Sequence, residues 1–150
     1  MIVVQGSAVM PLSLVETWEV FNGNELQQLI ELSDSLVEVR DYRMREEGTP
    51  EYVSVVQAGP RKFSFRSDYS VYEPPQRSVH RVLDNPLGGL FYSDYESVGG
   101  GTRVTHRWEV EPPSFMRPLF SRVRKSMAKK LQADLDLVAV RLRARSESSD

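Results

Sequence analysis

The side chains that could perform chemistry in this chain lie mainly on strand-like segments of its second half. His106 could change charge near neutral pH, because an unperturbed imidazole has a pKa of about 6.5. Ser93 and Tyr95 precede it, and Tyr69 and Asp134 are the other polar candidates. Together with Tyr69 or Tyr95, His106 could move protons as an acid/base group. The alternative is a hydrogen-bonded core histidine, and the sequence leaves both interpretations open.

The sequence gives little support for a metal-binding site or a phosphate-binding loop. The chain has no cysteine, which excludes disulfides, a thiolate nucleophile and a cysteine-based metal site. Its two histidines, His80 and His106, make a weak set of metal ligands on their own. The run Gly99-Gly100-Gly101 is typical of a hairpin turn and lacks the strand-to-helix setting of a phosphate loop. We therefore expect neither a metal nor a cofactor.

The element that must position these side chains is a long amphipathic helix, predicted from Ser114 to about Arg143. Its apolar residues recur at steps of three and four, while Arg122, Lys125 and Lys129 fall on the opposite face. The apolar stripe consists of Met116, Phe120, Val123, Met127, Leu131, Leu135, Val138 and Leu142. At about 1.5 Å per residue such a helix is about 45 Å long, so a broad surface must lie beneath it.

The preceding residues have the pattern of that surface, an antiparallel sheet. A first strand begins at Ile2, and a capping box of Ser13 and Glu16 starts a short helix that ends at Asn22-Gly23. A second short helix spans roughly Glu25 to Leu32. Six further strands are predicted near Leu36 to Arg45, Tyr52 to Gln57, Lys62 to Tyr72, Ser78 to Asp84, Leu90 to Val98 and Thr102 to Glu111. Turn residues separate them at Glu47 to Pro50, Gly59-Pro60, Pro74-Pro75, Asn85-Pro86, Gly99 to Gly101 and Pro112-Pro113.

Alternation in the last hairpin predicts which side chains face inward. Val104, His106, Trp108 and Val110 alternate with polar residues, and closing the glycine turn sets Tyr95, Ser93 and Phe91 against the first three of them. On the strand from Lys62, the inner row is predicted to be Phe63, Phe65, Ser67, Tyr69 and Val71. The inner surface therefore mixes aromatic side chains with many polar groups. In a close-packed core each of these groups would need a hydrogen-bond partner, so the mixture favours a cavity.

Composition indicates one domain of residues 1–144, followed by a polar, disordered tail of residues 145–150. No apolar run approaches the length of a transmembrane segment, and the start lacks the basic residues of a signal peptide, so we expect a soluble, cytoplasmic protein. Residues 1–113 carry 10 basic and 17 acidic side chains, whereas residues 114–150 carry 9 and 4. The positive charge therefore belongs to the long helix. Its basic face, Arg122, Lys125 and Lys129, could contact an anionic surface weakly, although a solvated face is the simpler interpretation, and DNA binding is not expected.

Three short motifs resemble a known superfamily. The segment from Leu14 to Phe21 resembles the first helix of START-like (SRPBCC) proteins, in particular of their polyketide cyclase/dehydrase and lipid-transport group. Glu73-Pro74-Pro75-Gln76-Arg77 resembles that group's acidic-Pro-Pro-x-Arg turn, and the run from Gly100 to Thr105 resembles its Gly-Gly-Thr-Arg-x-Thr hairpin. The resemblance spans nearly the whole chain. It implies an α+β helix-grip fold, in which a seven-stranded antiparallel sheet curves around the C-terminal helix and two short helices follow the first strand.

The resemblance also implies that a hydrophobic small molecule binds between the sheet and the long helix. Binding or carriage of a lipid, quinone or polyketide-like molecule is the favoured function. A polyketide cyclase/dehydrase-type enzyme, with His106 as the candidate catalytic residue, is the alternative, and a coenzyme Q-binding or ribosome-associated partner protein is a third. The predicted ligand-binding residues are Phe63, Phe65, Tyr69, Phe91, Ser93, Tyr95, His106, Trp108, Phe120, Met127 and Leu131.

Overall fold

A computed structural model describes residues 1–22, 25–58, 60–83 and 88–148 of the chain. The strands are β1 (Ile2–Met10), β2 (Leu36–Met44), β3 (Pro50–Ala58), β4 (Arg61–Glu73), β5 (Arg77–Leu83), β6 (Leu90–Val98) and β7 (Gly101–Val110), and the helices are α1 (Leu14–Asn22), α2 (Leu26–Leu32) and α3 (Arg117–Ser148). The predicted order of elements is therefore confirmed. The predicted turn residues Gly23, Gly59 and Asn85-Pro86, and the predicted strand end at Asp84, lie outside the described residues.

The long helix is shifted towards the C-terminus relative to its predicted bounds. A turn precedes the helix, and the amide of Arg117 donates to the carbonyl of Pro113 there. Helix α3 therefore begins at Arg117, three residues after its predicted start at Ser114. It then continues to Ser148, and residues 145–148, predicted to be disordered, are helical. Contacts with α2 hold this last turn, because Arg145 bonds to Glu31 at 2.6 Å and to Gln28 at 3.3 Å.

The seven strands form one antiparallel sheet in the order β1-β7-β6-β5-β4-β3-β2. The predicted register of the last hairpin is confirmed, with Phe91 opposite Trp108, Ser93 opposite His106 and Tyr95 opposite Val104. Its turn needs glycine at position 101, because the φ of Gly101 is 151° and a Cβ there would lie 1.9 Å from the carbonyl oxygen of Met10.

A β-bulge in β4 corrects one part of the predicted inner row. The pairing with β5 slips between Tyr69 and Val71, and one extra residue in a strand reverses the alternation beyond it. Tyr72 therefore packs against Trp18 in the core, where the sequence predicted Val71. Phe65, Ser67 and Tyr69 keep their predicted inward places, whereas Phe63 is 38% exposed near the start of the strand.

The two short helices close one end of the sheet. The predicted capping box is present: Ser13 Oγ accepts from the amide of Glu16 at 3.2 Å, and Glu16 Oε1 accepts from the amide of Ser13 at 3.4 Å. From α1, Trp18 packs edge-on against Tyr95 with ring centroids 5.3 Å apart. The main core cluster joins this helix to the C-terminal half of α3 through Leu135, Val138 and Leu142.

Helix α3 packs on the sheet and is fixed most closely to β1. Gln132 Nε2 donates to the carbonyl of Ser7 at 2.7 Å, and Gln132 Oε1 accepts from the amide of Ser7 at 3.0 Å. The approach depends on Gly6, since a Cβ there would lie 3.3 Å from the Cα of Gln132. Within the described residues, no helix combines the length and the apolar character needed to cross a membrane.

Candidate functional site

A pocket of about 330 Å³ lies between the sheet and α3. Strands β2 to β7 contribute residues to its floor, α1 and α2 form one side, and α3 covers it. Its lining residues are Phe21, Asn22, Leu26, Leu29, Ser33, Ser35, Leu36, Tyr52, Ser54, Val56, Phe65, Ser67, His80, Val82, Phe91, Ser93, Tyr95, His106, Trp108, Asp134, Leu135 and Val138. Of these residues, all within the described part of the chain, Asp134 is the only carboxylate and none is a lysine or arginine, so the wall they form is apolar with polar groups set into it.

A buried hydrogen-bond network occupies the side of the pocket next to α1, and its centre is Asn22. Asn22 Oδ1 accepts from Tyr69 Oη at 3.1 Å and from Ser78 Oγ at 3.2 Å. Asn22 Nδ2 donates to Tyr95 Oη at 2.5 Å. The hydroxyl groups of Tyr52 and Tyr69 are 2.8 Å apart, and Tyr69 donates to Asn22, so Tyr52 is the donor between the two tyrosines.

Three tyrosines of this network are neutral hydrogen-bonding groups. Burial raises the pKa of Tyr69 well above its ordinary value, and the nearby Tyr52 adds to the rise. Burial likewise raises the pKa of Tyr52 and of Tyr95, although hydrogen bonds with Ser93 and Asn22 partly oppose the change at Tyr95. A phenol with a raised pKa keeps its proton at neutral pH and can donate it in a hydrogen bond.

The two histidines lie on either side of Phe91. The ring of His80 stacks on Phe91 at 5.2 Å between centroids, and the ring of His106 meets Phe91 edge-on at 5.0 Å and Phe21 at 5.4 Å. Both line the pocket but lie deep in the domain, so desolvation lowers the pKa of His80 to about 4 and that of His106 to about 3. Both imidazoles are therefore uncharged at neutral pH.

These imidazoles also carry buried nitrogens without a hydrogen-bond partner among the described residues, Nδ1 of His80 and Nε2 of His106. The predicted partners of His106 are engaged elsewhere or only adjacent to it: Tyr95 bonds to Asn22, and Ser93 is its cross-strand neighbour. The surroundings of His106 are thus mainly aromatic, which explains its low basicity.

Asp134 of α3 lies at the rim of the pocket, where it holds the loop between α2 and β2. Its Oδ2 accepts from Ser33 Oγ at 2.9 Å and from Ser35 Oγ at 3.1 Å, and its Oδ1 accepts from the amide of Asp34 at 3.0 Å. Asp134 and Lys130, both described, form no ion pair with each other. The surface pair that the sequence favoured is therefore replaced by a carboxylate that fastens α3 to the start of β2.

The structure brings six of the eleven predicted ligand-binding residues to this pocket: Phe65, Phe91, Ser93, Tyr95, His106 and Trp108. Met127 and Leu131 instead line an adjoining groove of about 480 Å³, which shares Trp108 and Asp134 with the pocket. Tyr69 is buried in the hydrogen-bond network, Phe120 is buried near the start of α3, and Phe63 is outside both spaces. A ligand-binding role for each remains a prediction.

Several lining residues with polar side chains were not predicted as site residues, among them Asn22, Tyr52 and His80. Asn22 has the position of a helix-ending residue, and no pattern distinguishes that role from a buried hydrogen-bond centre. Tyr52 belongs to a strand whose inward face was not assigned. His80 could have been found, because its cross-strand partner Phe91 was already predicted to face inward. Among the described residues, no group of three His, Cys, Asp or Glu side chains is arranged to hold a metal ion.

Comparisons with known proteins place this architecture among solved structures. No family profile matches the chain, and no curated protein matches it. The chain is similar in structure to TTHA0849 from Thermus thermophilus, with 18% identity, a TM-score of 0.75 and coverage of 96% of this chain and 99% of that one. It is also similar to the di-domain ARO/CYC StfQ from the steffimycin biosynthetic pathway, with 11% identity, a TM-score of 0.73 and coverage of 97% of this chain and 52% of that one.

A third similar structure is Ara h 8.0201, with 10% identity, a TM-score of 0.61 and coverage of 95% and 97% of the two chains. The chain has the helix-grip fold. At these identities the likeness concerns the fold and not the activity. Within this helix-grip domain the lining offers hydrophobic contact, neutral phenols and two neutral imidazoles, a set suited to holding an uncharged molecule through a few directed hydrogen bonds.

Proposed function

We propose that the helix-grip domain binds or carries a neutral hydrophobic small molecule in the pocket between its sheet and α3. The observation that carries this proposal is the lining itself, which is apolar on most sides and, among the described residues, holds only one carboxylate, Asp134. That carboxylate accepts hydrogen bonds from Ser33, Ser35 and the amide of Asp34. An anionic ligand such as a fatty acid would find no lysine or arginine in the lining to neutralise it.

The size of the pocket narrows the ligand further. An apolar cavity of about 150 Å³ holds one benzene molecule, and the pocket measures about 330 Å³. Two or three fused rings match this volume, whereas a lipid with two acyl chains exceeds it. Among lipid, quinone and polyketide-like candidates, the ring compounds therefore fit best.

The hydrogen-bond network favours a ligand that carries a carbonyl or another acceptor oxygen. Tyr95 Oη accepts from Asn22 and also hydrogen-bonds with the hydroxyl of Ser93, and both hydroxyl groups line the pocket. The bond between Tyr95 and Ser93 can be exchanged for one to a ligand oxygen, and the Tyr95 phenol stays protonated because burial raises its pKa. A neutral ring compound with a carbonyl, such as a quinone or an aromatic polyketide, satisfies both the volume and this donor.

A cyclase/dehydrase-type enzyme is the alternative, because the same two side chains could act on such a ligand, Tyr95 as a proton donor and His106 as a base. A general base works best when its pKa lies near the operating pH. The pKa of His106 is lowered to about 3, and its ring contacts are with Phe21 and Phe91. His106 is therefore a weak base in this setting, which is the reason for preferring carriage.

Native mass spectrometry of the freshly purified protein, followed by extraction into an organic solvent, tests the proposal first. A co-purified neutral ring compound supports it. Titration with menadione as a neutral quinone probe and with palmitate as an anionic one then tests the ligand class through tryptophan fluorescence, since Trp108 lines the pocket. Binding of palmitate but not of menadione would contradict the proposal.

A pair of serine variants ties binding to the pocket. Ser54 lines the pocket, and Ser64 is exposed on the neighbouring strand. Ser54→Phe should fill the pocket and weaken menadione binding by at least about tenfold, a change of about 1.4 kcal/mol. Ser64→Phe adds the same side chain outside it and should leave binding unchanged. Equal effects of the two variants would show that the probe binds elsewhere.

His106→Gln separates carriage from catalysis. We expect binding within about tenfold of the wild type, because glutamine keeps a hydrogen-bonding group at this position. Turnover of a polyketide-like substrate by the wild type that His106→Gln abolishes, with binding intact, would instead favour the cyclase/dehydrase alternative.

A further inference from the structure

The end of the domain at which α3 begins carries an unusual distribution of charge. Residues 114–133 contain no acidic residue and six basic ones: Arg117, Arg122, Arg124, Lys125, Lys129 and Lys130. All six are exposed, and within the described part of the chain none forms an ion pair. Elsewhere in the described part of the chain, ion pairs are formed by Arg43, Arg45, Arg77, Arg81, Arg103, Arg107, Arg141 and Arg145. The unpaired cations are therefore concentrated on the first half of α3.

Exposed apolar side chains lie beside these cations. Phe115 is 83% exposed and Leu119 is 55% exposed, at the turn before α3 and in its first turn. Phe63 is 38% exposed and follows Arg61 and Lys62 at the start of β4. The sheet topology brings the start of β4 to the same end of the domain as the end of β7, from which the chain enters α3. Aromatic and aliphatic tips surrounded by cations are typical of surfaces that lie in a bilayer interface.

The groove that adjoins the pocket reaches Lys130, one of these six cations. The groove of about 480 Å³ runs between α3 and the sheet and is lined by Val4, Val56, Met127, Lys130 and Leu131, together with other residues. It shares Trp108 and Asp134 with the pocket of about 330 Å³. An apolar molecule that leaves the pocket along this groove therefore emerges beside Lys130 and the basic first half of α3.

We propose that this end of the domain, defined by Phe63, Phe115, Leu119 and the six cations of α3, docks on an anionic lipid bilayer. The cations lie against the lipid phosphates, and Phe115 and Leu119 insert among the acyl chains. Residues 1–113 carry 17 acidic against 10 basic side chains, so an anionic membrane repels the rest of the molecule and selects this orientation. A bilayer fits better than a nucleic acid because the exposed aliphatic side chain of Leu119 gains from insertion among acyl chains, as Phe115 does, but gains nothing from base stacking.

Flotation of the full-length protein with lipid vesicles tests this proposal. Vesicles of phosphatidylcholine mixed with phosphatidylglycerol should carry the protein, and vesicles of phosphatidylcholine alone should carry little. Each basic side chain near an anionic surface contributes about 1 kcal/mol, so Lys125→Gln with Lys129→Gln should lower the partition coefficient about 25-fold. Arg40 is exposed on β2, far from α3, and Arg40→Gln is the charge control, for which we expect about a fivefold change at most.

The apolar part of the surface has its own pair of variants. Phe115→Ala should weaken vesicle binding by at least about tenfold, because a phenylalanine ring leaves the acyl region. Val140 is 57% exposed towards the other end of the same helix, and Val140→Ala should leave binding unchanged. Circular dichroism melts establish that each variant folds, and the lysine variants, which change only exposed residues, provide the test if Phe115→Ala does not.

Several results would overturn docking on a membrane. Equal flotation with neutral and anionic vesicles, or equal losses in Arg40→Gln and Lys125→Gln/Lys129→Gln, would remove its basis. Tighter binding to single-stranded RNA than to anionic vesicles would assign the surface to nucleic acid. Dimers of the wild type that Phe115→Ala converts to monomers would assign it to a second copy of the chain. Menadione binding in solution is measured without vesicles, so the pocket proposal stands or fails separately.

Discussion

Asn22 Nδ2 donates a 2.5 Å hydrogen bond to Tyr95 Oη, which joins the last residue of α1 to the middle of β6. Both side chains are almost fully buried, with 3% and 5% of their surfaces exposed. Through its carbonyl oxygen, Asn22 also accepts from Tyr69 of β4 and Ser78 of β5. One amide thus holds three strands in position around one side of the pocket and fixes the direction of each hydroxyl group.

Replacing Asn22 should therefore cause a large loss of stability, even when the new side chain has a similar shape. Asn22→Leu keeps the shape of the side chain but leaves the hydroxyl groups of Tyr69, Ser78 and Tyr95 without this partner. At about 1 kcal/mol for each lost hydrogen bond, we expect a loss of about 3 kcal/mol in the free energy of unfolding. Urea denaturation measures this loss.

Gln27 provides the matched control, because its exposed side chain makes one hydrogen bond, to the carbonyl of Val39. Gln27→Leu should cost less than about 1 kcal/mol. If Asn22→Leu is as stable as Gln27→Leu, the network does not hold the strands together.

The elements and the last hairpin could be predicted because their signals are local. A three-glycine turn with strict alternation on both sides leaves one register that buries His106, Val104 and Trp108 together. The bulge beside Tyr69 has no comparable signal, since an inserted residue breaks the very alternation from which the inner row is inferred. Alternation therefore predicts Val71 on the inside, whereas the bulge places Tyr72 against the core.

Only part of the candidate site could be predicted, because the side chains that line it depend on how much of the sheet is covered by α3 and by the loop after α2. Alternation assigns Phe63 and Phe65 to the same face of β4, but α3 and the loop after α2 cover only the second of them. Asn22 belongs to the site through contacts with three strands that are remote in the sequence. Such long-range contacts leave no periodic trace in a single sequence.

The two tryptophans should differ sharply in what they contribute to stability. Trp18 is 2% exposed and packs edge-on against Tyr72 and Tyr95 at 5.4 Å and 5.3 Å between ring centroids. Trp18→Ala should cost about 3 to 5 kcal/mol, the range for a large core side chain. Trp108 is half-buried and borders both the pocket and the groove.

Trp108→Ala should therefore cost clearly less than about 3 kcal/mol, since part of its ring has no packing partner to lose. Denaturant melts of the two variants, made without added ligand, compare the two costs directly. A full core-sized loss for Trp108→Ala would mean that the ring is close-packed, and it would count against an open pocket.

The buried histidines should make the protein less stable in mild acid. Desolvation lowers the pKa of His80 to about 4 and that of His106 to about 3, whereas the unfolded chain has histidines with a pKa of about 6.5. Between these values the unfolded state binds more protons than the folded state, so stability falls as the pH falls. From pH 7 to about pH 5, each histidine should cost about 2 kcal/mol.

Single and double glutamine variants at positions 80 and 106 test this directly, because these are the only histidines of the chain. The free energy of unfolding is measured by urea denaturation at pH 7 and at pH 5. In the wild type the free energy of unfolding falls between pH 7 and pH 5. This fall should be smaller by about 2 kcal/mol in each single variant and by about 4 kcal/mol in the double variant. Carboxylates affect all four proteins alike, so a pH dependence that is the same in all of them would contradict neutral, buried imidazoles.

Asp134 should control how quickly a ligand leaves the pocket. Its carboxylate joins α3 to the loop before β2 by accepting from Ser33 Oγ, Ser35 Oγ and the amide of Asp34 at 2.9 to 3.1 Å. This junction lies where the pocket meets the groove. Asp134→Ala leaves three donors without this acceptor, and we expect a loss of about 2 kcal/mol in the free energy of unfolding.

Asp134→Ala should also increase the rate at which the ligand leaves the pocket, because the loop at the rim is freed. The core cluster of α3 stays packed in this variant. Stopped-flow displacement of menadione measures the dissociation rate. Asp136→Ala removes the same charge two residues away, where the side chain is exposed and accepts from Gln132 of its own helix, so its stability should stay within about 0.5 kcal/mol of the wild type. If Asp134→Ala and Asp136→Ala release the probe at the same rate, the junction at Asp134 does not restrict the entrance.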